Sequence, residues 1–197
     1  MATPDPGSDR EALVGAASSL YYEHGIQAVG MDAVRAAAGV PLKRLYRTFR
    51  SKDDLIEATL RERDAAILTS VRQYVDERRP AGAEEAVLAV FDWMSSWFAE
   101  ETFRGCAFIN AFGELGDDAP RVATAVRDHK RAFRSALAEL VSGLELPPER
   151  AEALTEQLYI VANGAMATAP ITGSPQTALD AKAIARALIA GARREPA

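Results

Sequence analysis

A cluster of basic residues lies in the N-terminal third of the chain. The segment from Arg35 to Lys52 contains six Lys and Arg residues and no acidic one, so it carries a formal charge of +6 in a 197-residue chain whose net charge is −5. The remaining residues together carry −11. A polyanion such as a nucleic acid would be attracted to this segment and repelled elsewhere. An ordinary solvated basic face would have the same charge, so the spacing of the residues must decide.

The same segment has the spacing of two short helices joined by a tight turn. A helix is predicted from about Met31 to Ala38, and Gly39 ends it because glycine adopts the left-handed backbone at little cost. Pro41 then opens a second helix that reaches about Phe49. This is the helix-turn-helix pattern. The residues predicted to face inward are Val34, Ala37, Val40, Leu45 and Phe49.

Basic and polar side chains are predicted on the outer side of the second helix. Lys43, Arg44 and Arg47 are expected there in exposed positions, from which such side chains reach phosphates and guanine edges in a major groove. Tyr46 either offers its hydroxyl to DNA or packs on the helix that opens the chain. Leu42 either contacts a thymine methyl group or packs beneath other apolar residues.

The elements around this segment are also predicted to be helices. Residues 1–8 are expected to form a short flexible arm and not a signal peptide, and Ser8 with Glu11 fits a capping box that starts the first helix. No segment shows the period-two alternation of strands and no apolar run is long enough to span a membrane, so the predicted fold class is all-α. Beyond the basic segment, helices are predicted over residues 9–24, 51–79, 83–100, 106–115, 120–143, 148–169 and 175–193.

Residues 10 to 60 resemble the N-terminal domain of TetR-type repressors. The matching stretches are the opening helix REALVGAASSLYYEHG, the turn AAAGV, the recognition helix LYRTF and the run SKDDLIEATL that follows it. The resemblance implies an N-terminal three-helix DNA-binding domain over residues 9–54 and a C-terminal helical ligand-binding and dimerisation domain over residues 55–197. It covers about a quarter of the chain, and the remainder is similar to the family in its helical layout only.

The resemblance also assigns roles to residues of the basic segment. Tyr46 and Lys52 occupy positions that usually hold phosphates. Arg35 stands where a small residue is usual, and Val29-Gly30 stands where the family usually has a Thr or Ser that contacts a phosphate. Arg35 is therefore expected to replace that contact. The positions implied to face the groove are Leu42, Lys43, Arg44 and Arg47.

The C-terminal part combines many aromatic residues with a few polar residues on apolar helix stripes. His129, Asn110 and Asn163 are the polar ones, and each would need a hydrogen-bond partner if buried. A backbone carbonyl or another core side chain is the ordinary partner, and a ligand is the alternative. The predicted ligand-binding residues are Trp93, Trp97, Phe108, Asn110, Phe112, His129 and Asn163.

The last two predicted helices carry apolar stripes with small residues. Two such helices from each of two subunits would form a four-helix bundle around a two-fold axis, and the resemblance implies the same interface. The predicted interface residues are Leu154, Leu158, Ala162, Ala165, Ala183, Ala187 and Leu188.

The function implied by the resemblance is that of a homodimeric repressor. It would bind a near-palindromic operator and be released by a small, largely apolar or aromatic molecule. Two alternatives stay open here, a helical small-molecule-binding dimer without a DNA role and an uncharacterised enzyme. The two His residues and the single Cys106 show no metal-ligand spacing, and no catalytic residue, metal or cofactor is predicted. Cys106 indicates a reducing cytoplasm and either senses redox state or fills a small buried site.

Overall fold

The structure is a computed structural model that describes residues 6–78 and 80–194. Within these ranges the chain forms α-helices and a short 3-10 turn, with no strand. The predicted all-α fold is confirmed. None of the described helices combines the length and the apolarity needed to cross a bilayer. The helices are α1 (Pro6–His24), α2 (Met31–Ala38), α3 (Leu42–Thr48), α4 (Lys52–Glu77), α5 (Ala83–Phe98), α6 (Ala107–Leu115), α7 (Pro120–Ser142), α8 (Pro148–Thr172) and α9 (Gln176–Arg194).

The start of α1 differs from the prediction. The helix begins at Pro6, so Ser8 lies inside its first turn, and the predicted capping box at Ser8 and Glu11 is wrong. Proline is tolerated at this place because the first N–H groups of a helix have no intrahelical partner. Of the predicted arm over residues 1–8, the first five residues lie outside the described ranges and the last three are helical.

The chain divides into two compact units. The first unit comprises Met1–Ala65 and Ala107–His129, and the second comprises Ala66–Cys106 and Lys130–Ala197. The predicted boundary between residues 54 and 55 is a functional division and stays a prediction. The core of the first unit is formed where α1 packs on α2 and α3. Fully buried side chains of this core are Leu13, Val14, Ala17, Val34, Leu45 and Leu55.

The second unit is built on contacts of α9 with α8 and α5. Phe91 and Met94 of α5 and Leu158 of α8 are fully buried in it, as is Ile189 of α9. Lys182 Nζ binds both carboxylate oxygens of Asp92, at 2.6 and 2.7 Å, which ties α9 to α5. This unit therefore has its own core, and α9 is one of its central elements.

Helix α8 continues beyond its predicted end at Ala169. Pro170 lies inside its last turn, and the helix ends at Thr172. A proline has no N–H to bond the carbonyl four residues earlier, and its ring crowds that carbonyl, so α8 ends within a few residues of Pro170. Gly173 ends the helix in the left-handed conformation (φ 65°), and its N–H bonds the carbonyl of Ala169 at 2.9 Å. A proline in the sequence therefore marked the end of this helix to within one turn.

Candidate nucleic-acid interface

The turn between α2 and α3 holds these two helices in a fixed relation. Gly39 adopts φ 66° and ends α2, and the N–H of Val40 bonds the carbonyl of Arg35 at 3.0 Å. Pro41 then takes the N-cap position of α3 with extended backbone. Four of the residues predicted to face inward are buried, as expected. They are Val34, Val40, Leu45 and Phe49.

One inward-facing residue was predicted wrongly. Ala37 is exposed, because α2 spans only eight residues and buries Val34 alone. The apolar character of a small alanine does not decide whether a helix face is covered, whereas the packing of the neighbouring helices does.

The outward face of α3 carries four exposed side chains. Leu42 and Tyr46 are 42% and 50% exposed, and Lys43 and Arg47 are exposed beside them. Their positions at i, i+1, i+4 and i+5 place them on one side of the helix. Neither Leu42 nor Tyr46 is packed away against another helix, which favours the contact roles over the packing alternatives. The face therefore offers two cations, a phenol hydroxyl and an apolar tip.

Arg44 lies on the inner side of α3. Its Nε donates to Oδ2 of Asp9 at 2.5 Å, and its Nη2 donates to the other carboxylate oxygen. The Arg44 side chain is 24% exposed and that of Asp9 is 6% exposed. The prediction that Arg44 is exposed is wrong, because the turn of α3 that buries Leu45 also directs Arg44 towards α1. The pair connects the first turn of α1 to the middle of α3.

Lys52 is half-buried at the start of α4. Its ammonium donates to the carbonyl of Ile26 at 2.6 Å and lies 5.9 Å from the centre of the Tyr21 ring. The side chain therefore holds the loop before α2, a contact that the sequence did not predict. A carbonyl partner leaves the positive charge of Lys52 uncompensated, so the expected phosphate contact stays a prediction.

The remaining basic residues of the segment differ in their pairing. Arg35 is bound to Asp32 in the preceding turn, with Nε 2.7 Å from Oδ1. Within residues 6–78 and 80–194, by contrast, Lys43, Arg47 and Arg50 form no ion pair. Arg50 is exposed just after the buried Phe49 and was not among the predicted contact residues. In the sequence, the position of Arg50 within the basic segment that has no acidic residue indicated that it could contact DNA.

In the first unit, the predicted ligand-binding residues have different environments. His129 is 4% exposed, its Nδ1 lies 2.7 Å from Oδ1 of Asp64, and its ring stacks on Phe108 with the centroids 3.5 Å apart. Asn110 is exposed and Phe112 is 40% exposed. Both residues are therefore more exposed than the buried Phe108 and Ala111 of α6, and their role towards a ligand stays a prediction.

The other three predicted ligand-binding residues belong to the second unit. The indole N–H of Trp93 donates to Ser70 Oγ at 3.0 Å, and its ring stacks on Trp97 with centroids 5.2 Å apart. Asn163 accepts a hydrogen bond from Lys130 Nζ at 2.5 Å and donates to the carbonyl of Tyr159. The hydrogen-bonding groups of Trp93 and Asn163 thus have protein partners. Their role towards a ligand stays a prediction.

The predicted dimer residues fall into two groups. The four residues of α8, which are Leu154, Leu158, Ala162 and Ala165, are at most 5% exposed in the single chain. They pack inside the second unit, so their assignment to a surface between subunits is wrong. In α9, Ala183 and Ala187 are exposed and Leu188 is half-buried.

Helix α8 has a second apolar stripe on its outer side. Ile160 is 60% exposed and Ile171 is 85% exposed, and Gly164 and Ala167 lie exposed between them. Their alternating spacing of four and three residues places them on one face. Ile184 of α9 is 51% exposed. This outer stripe is also visible in the sequence, but the predicted interface residues of α8 all belong to the inward stripe.

Comparison with known proteins places this architecture in a family. The family model described as "Bacterial regulatory proteins, tetR family" matches residues 13–59. A crystal structure of a TetR-family transcriptional regulator from Streptomyces coelicolor is 30% identical, covers 94% of this chain and 96% of that chain, and has a TM-score of 0.84. A putative TetR-type regulator from Streptomyces avermitilis is 28% identical, with coverage of 98% and 100% and a TM-score of 0.80.

Two relatives of the chain are named as transcriptional regulators. The chain is 34% identical to the HTH-type transcriptional activator FasR of Mycolicibacterium smegmatis over 143 residues. The aligned residues cover 69% of this chain and 61% of FasR. It is 26% identical to the HTH-type transcriptional repressor ComR of Escherichia coli over 146 residues. The aligned residues cover 71% of this chain and 69% of ComR. The chain therefore belongs to the TetR family of bacterial regulatory proteins, which are DNA-binding transcriptional regulators and not enzymes.

Proposed function

We propose that the protein is a ligand-responsive repressor that binds a near-palindromic operator as a homodimer. The observation that carries this proposal is the outward face of α3, where Lys43 and Arg47 are exposed without an ion pair among the described residues. A short helix anchored by Leu45 and presenting two cations fits a major groove. One relative is named a repressor and another an activator, so repression is part of the proposal. The expected cytoplasmic location stays a prediction.

The contact roles follow from the pairing of each basic residue. Lys43, Arg47 and Arg50 supply charge to phosphates or base edges, and Tyr46 supplies a hydroxyl. Arg44 is a positioning residue, because Asp9 holds its guanidinium and so sets the rotation of α3. The predicted base contact of Arg44 would require this pair to open. Arg35 and Lys52 are assigned weaker contacts to phosphates, because each already binds a protein group.

The homodimer is supported by the outer stripe of α8. Ile160, Gly164, Ala167 and Ile171 form an exposed face whose small central residues allow a second helix to approach closely. Ile184 on α9 extends the apolar surface. A second copy that packs the same faces would form a four-helix bundle and bury them. The dimer would then present two α3 helices to two half-sites.

Control by a ligand is supported by the way α6 is fastened to the turn before α2. The carboxylate of Glu114 accepts the N–H of Ile26 at 3.0 Å and the N–H of Gln27 at 2.9 Å. The side-chain amide of Gln27 in turn donates to the carbonyl of Glu114 at 2.5 Å. A ligand that favours another position of α6 would shift this turn and, with it, the helix-turn-helix. The free energy by which the ligand changes the equilibrium between the two arrangements equals the difference in its binding free energy for them.

The proposal is tested with the full-length protein and duplex DNA. Bound fragments are first selected from a random pool, and binding is then followed by fluorescence anisotropy across a range of salt concentrations. We expect the double variant Lys43→Ala, Arg47→Ala to lose most of the affinity and to reduce the slope of log K against log salt by about 2. The matched control is Arg127→Ala, because Arg127 is exposed on α7 of the same unit and is paired with Asp117 at 2.5 Å.

Two results would overturn the proposal. An intact protein that binds no duplex at low ionic strength would leave only the small-molecule-binding dimer. Equal losses in the double variant and in the Arg127→Ala control would show that α3 is not the contact surface.

A further inference from the structure

A solvent-connected cavity lies inside the first unit, away from the exposed face of α3. Its volume is about 340 Å³, near the lower end of the roughly 300–1,000 Å³ that small-molecule sites occupy. Helices α1, α4 and α6 form its walls, together with the turn that follows α1. Its lining includes Tyr21, Ile26, Leu60, Arg63 and Glu114.

Largely buried aliphatic and aromatic side chains form the inner part of this cavity. Tyr21, Ile26 and Leu60 are at most 7% exposed, and Ala111 is fully buried. Asn110, at the rim of the cavity, is exposed. A flat or branched hydrocarbon body could therefore be covered by the wall while a polar end remains near solvent. Surface of this kind binds ligands mainly through the burial of apolar area.

Arg63 supplies a positive charge that is held in place. Its guanidinium carbon lies 4.0 Å from the centre of the Tyr22 ring, and its Nη1 donates to Ser18 Oγ at 3.3 Å. A guanidinium has five N–H donors in a planar fork, so it can contact a carboxylate while it keeps the protein contacts that hold it. The stacking on Tyr22 reduces the side-chain entropy that a carboxylate ligand would have to remove.

Glu114, the acidic residue of the cavity, already has a structural role. Both of its carboxylate oxygens accept backbone N–H groups, from Ile26 and Gln27. A cationic ligand would compete with these hydrogen bonds, whereas an anion at Arg63 would leave them intact. The charges of the cavity thus favour an anionic ligand over a cationic one.

We propose that this cavity binds a small aromatic carboxylate. The carboxylate contacts the guanidinium of Arg63, and the ring lies against Tyr21, Ile26 and Leu60. The site differs from the predicted ligand-binding residues, of which only Asn110 lines it. Gly25 and Ile26 also line the cavity, so its occupant touches the turn that Glu114 fastens before α2. Binding at this site does not depend on the proposed DNA-binding function and is measured without DNA.

The test uses 2-naphthoate as a fluorescent probe and the full-length protein. We expect saturable binding at concentrations below about 1 mM, and weakening by about tenfold or more in Arg63→Gln because a charge-assisted hydrogen bond is lost. The matched control is Arg61→Gln, since Arg61 lies on the same helix, is paired with Glu57 and does not line this cavity. It should bind the probe as the wild type does. The uncharged amide 2-naphthamide should bind more weakly than the acid.

A second variant tests the location without removing a charge. Ala107 is half-buried in the cavity wall, and Ala107→Leu should fill the space and lower probe affinity while the helical circular dichroism is unchanged. The proposal is overturned if the wild type shows no saturable binding. It is also overturned if Arg63→Gln and Ala107→Leu, both folded, bind naphthoate as tightly as the wild type.

Discussion

The carboxylate of Asp9 in the first turn of α1 holds the guanidinium of Arg44 in the middle of α3. Both oxygens of Asp9 are used, and the carboxylate side chain is 6% exposed. Removing one partner of a buried pair leaves the other charge without compensation, which costs more than the pair itself contributes. The pair therefore fixes the orientation of the helix that presents Lys43 and Arg47.

The first prediction concerns the stability effect of this pair. Arg44→Ala should lower the free energy of unfolding by about 3 kcal/mol, because it leaves a buried carboxylate unpaired. Arg35→Ala is the matched control, since Arg35 is bound to an exposed Asp32 and should cost less than about 1 kcal/mol. Urea unfolding of the two variants gives the comparison. Equal losses would mean that the Asp9–Arg44 pair is as weak as a surface ion pair.

The second prediction concerns Arg50, an exposed residue of the basic segment that was not among the predicted contact residues. Arg50→Ala should weaken binding to all duplexes to a similar extent and reduce the salt slope by about 1, as expected for a phosphate contact. Its free energy of unfolding should stay within about 0.5 kcal/mol of the wild type, because Arg50 is exposed and has no ion pair among the described residues. A change in sequence preference would instead indicate a base contact, and unchanged DNA affinity would remove Arg50 from the interface.

The third prediction concerns the hydroxyl of Tyr21. This hydroxyl is buried without a hydrogen-bond partner within the described residues. Burial, and then the negative charge of Asp53, raise the pKa of Tyr21 to about 12. Tyr21→Phe removes an unsatisfied polar group, so it should leave stability unchanged or increase it by about 1 kcal/mol at neutral pH. Thermal unfolding measures the change, and a marked loss would show that the hydroxyl has a structural partner.

Tyr21 should also make stability depend on pH at the alkaline end. Because the folded-state pKa lies above the ordinary value of 10, the unfolded chain loses this proton first. The stability associated with the neutral phenol is therefore fully present below pH 10 and is lost as the pH rises towards 12. The difference in unfolding free energy between the wild type and Tyr21→Phe should change across that window. A constant difference between pH 10 and pH 12 would contradict the raised pKa.

The fourth prediction concerns the outer stripe of α8. Ile160→Glu places a charge in the proposed subunit interface, and we expect it to produce monomers in analytical ultracentrifugation and to abolish high-affinity operator binding. The side chain is 60% exposed in the single chain, so the fold of the monomer should survive. Ser135→Glu on α7 is the control, because Ser135 is exposed on another helix of the same unit. A dimeric Ile160→Glu variant would place the interface elsewhere.

Local signals in the sequence determined the helices and the turn between α2 and α3. Gly39 ends α2 in the left-handed conformation and Pro41 occupies the N-cap of α3, as their backbone preferences require. The acid-free basic run and the spacing of Val34, Leu45 and Phe49 were enough to predict the helix-turn-helix. These features depend on neighbouring residues only, so the sequence alone shows them.

The tertiary structure decided which side of each helix is covered. Arg44 and Arg47 are of the same type on one short helix, yet Arg44 is bound by Asp9, 35 residues earlier in the chain, and Arg47 is exposed. Helix α8 has two apolar stripes, and contact with α9 and α5 decides that the one containing Leu158 is buried. Helical periodicity places residues on faces, but a face is buried only when another element packs on it. That packing joins residues far apart in the chain, which no local pattern records.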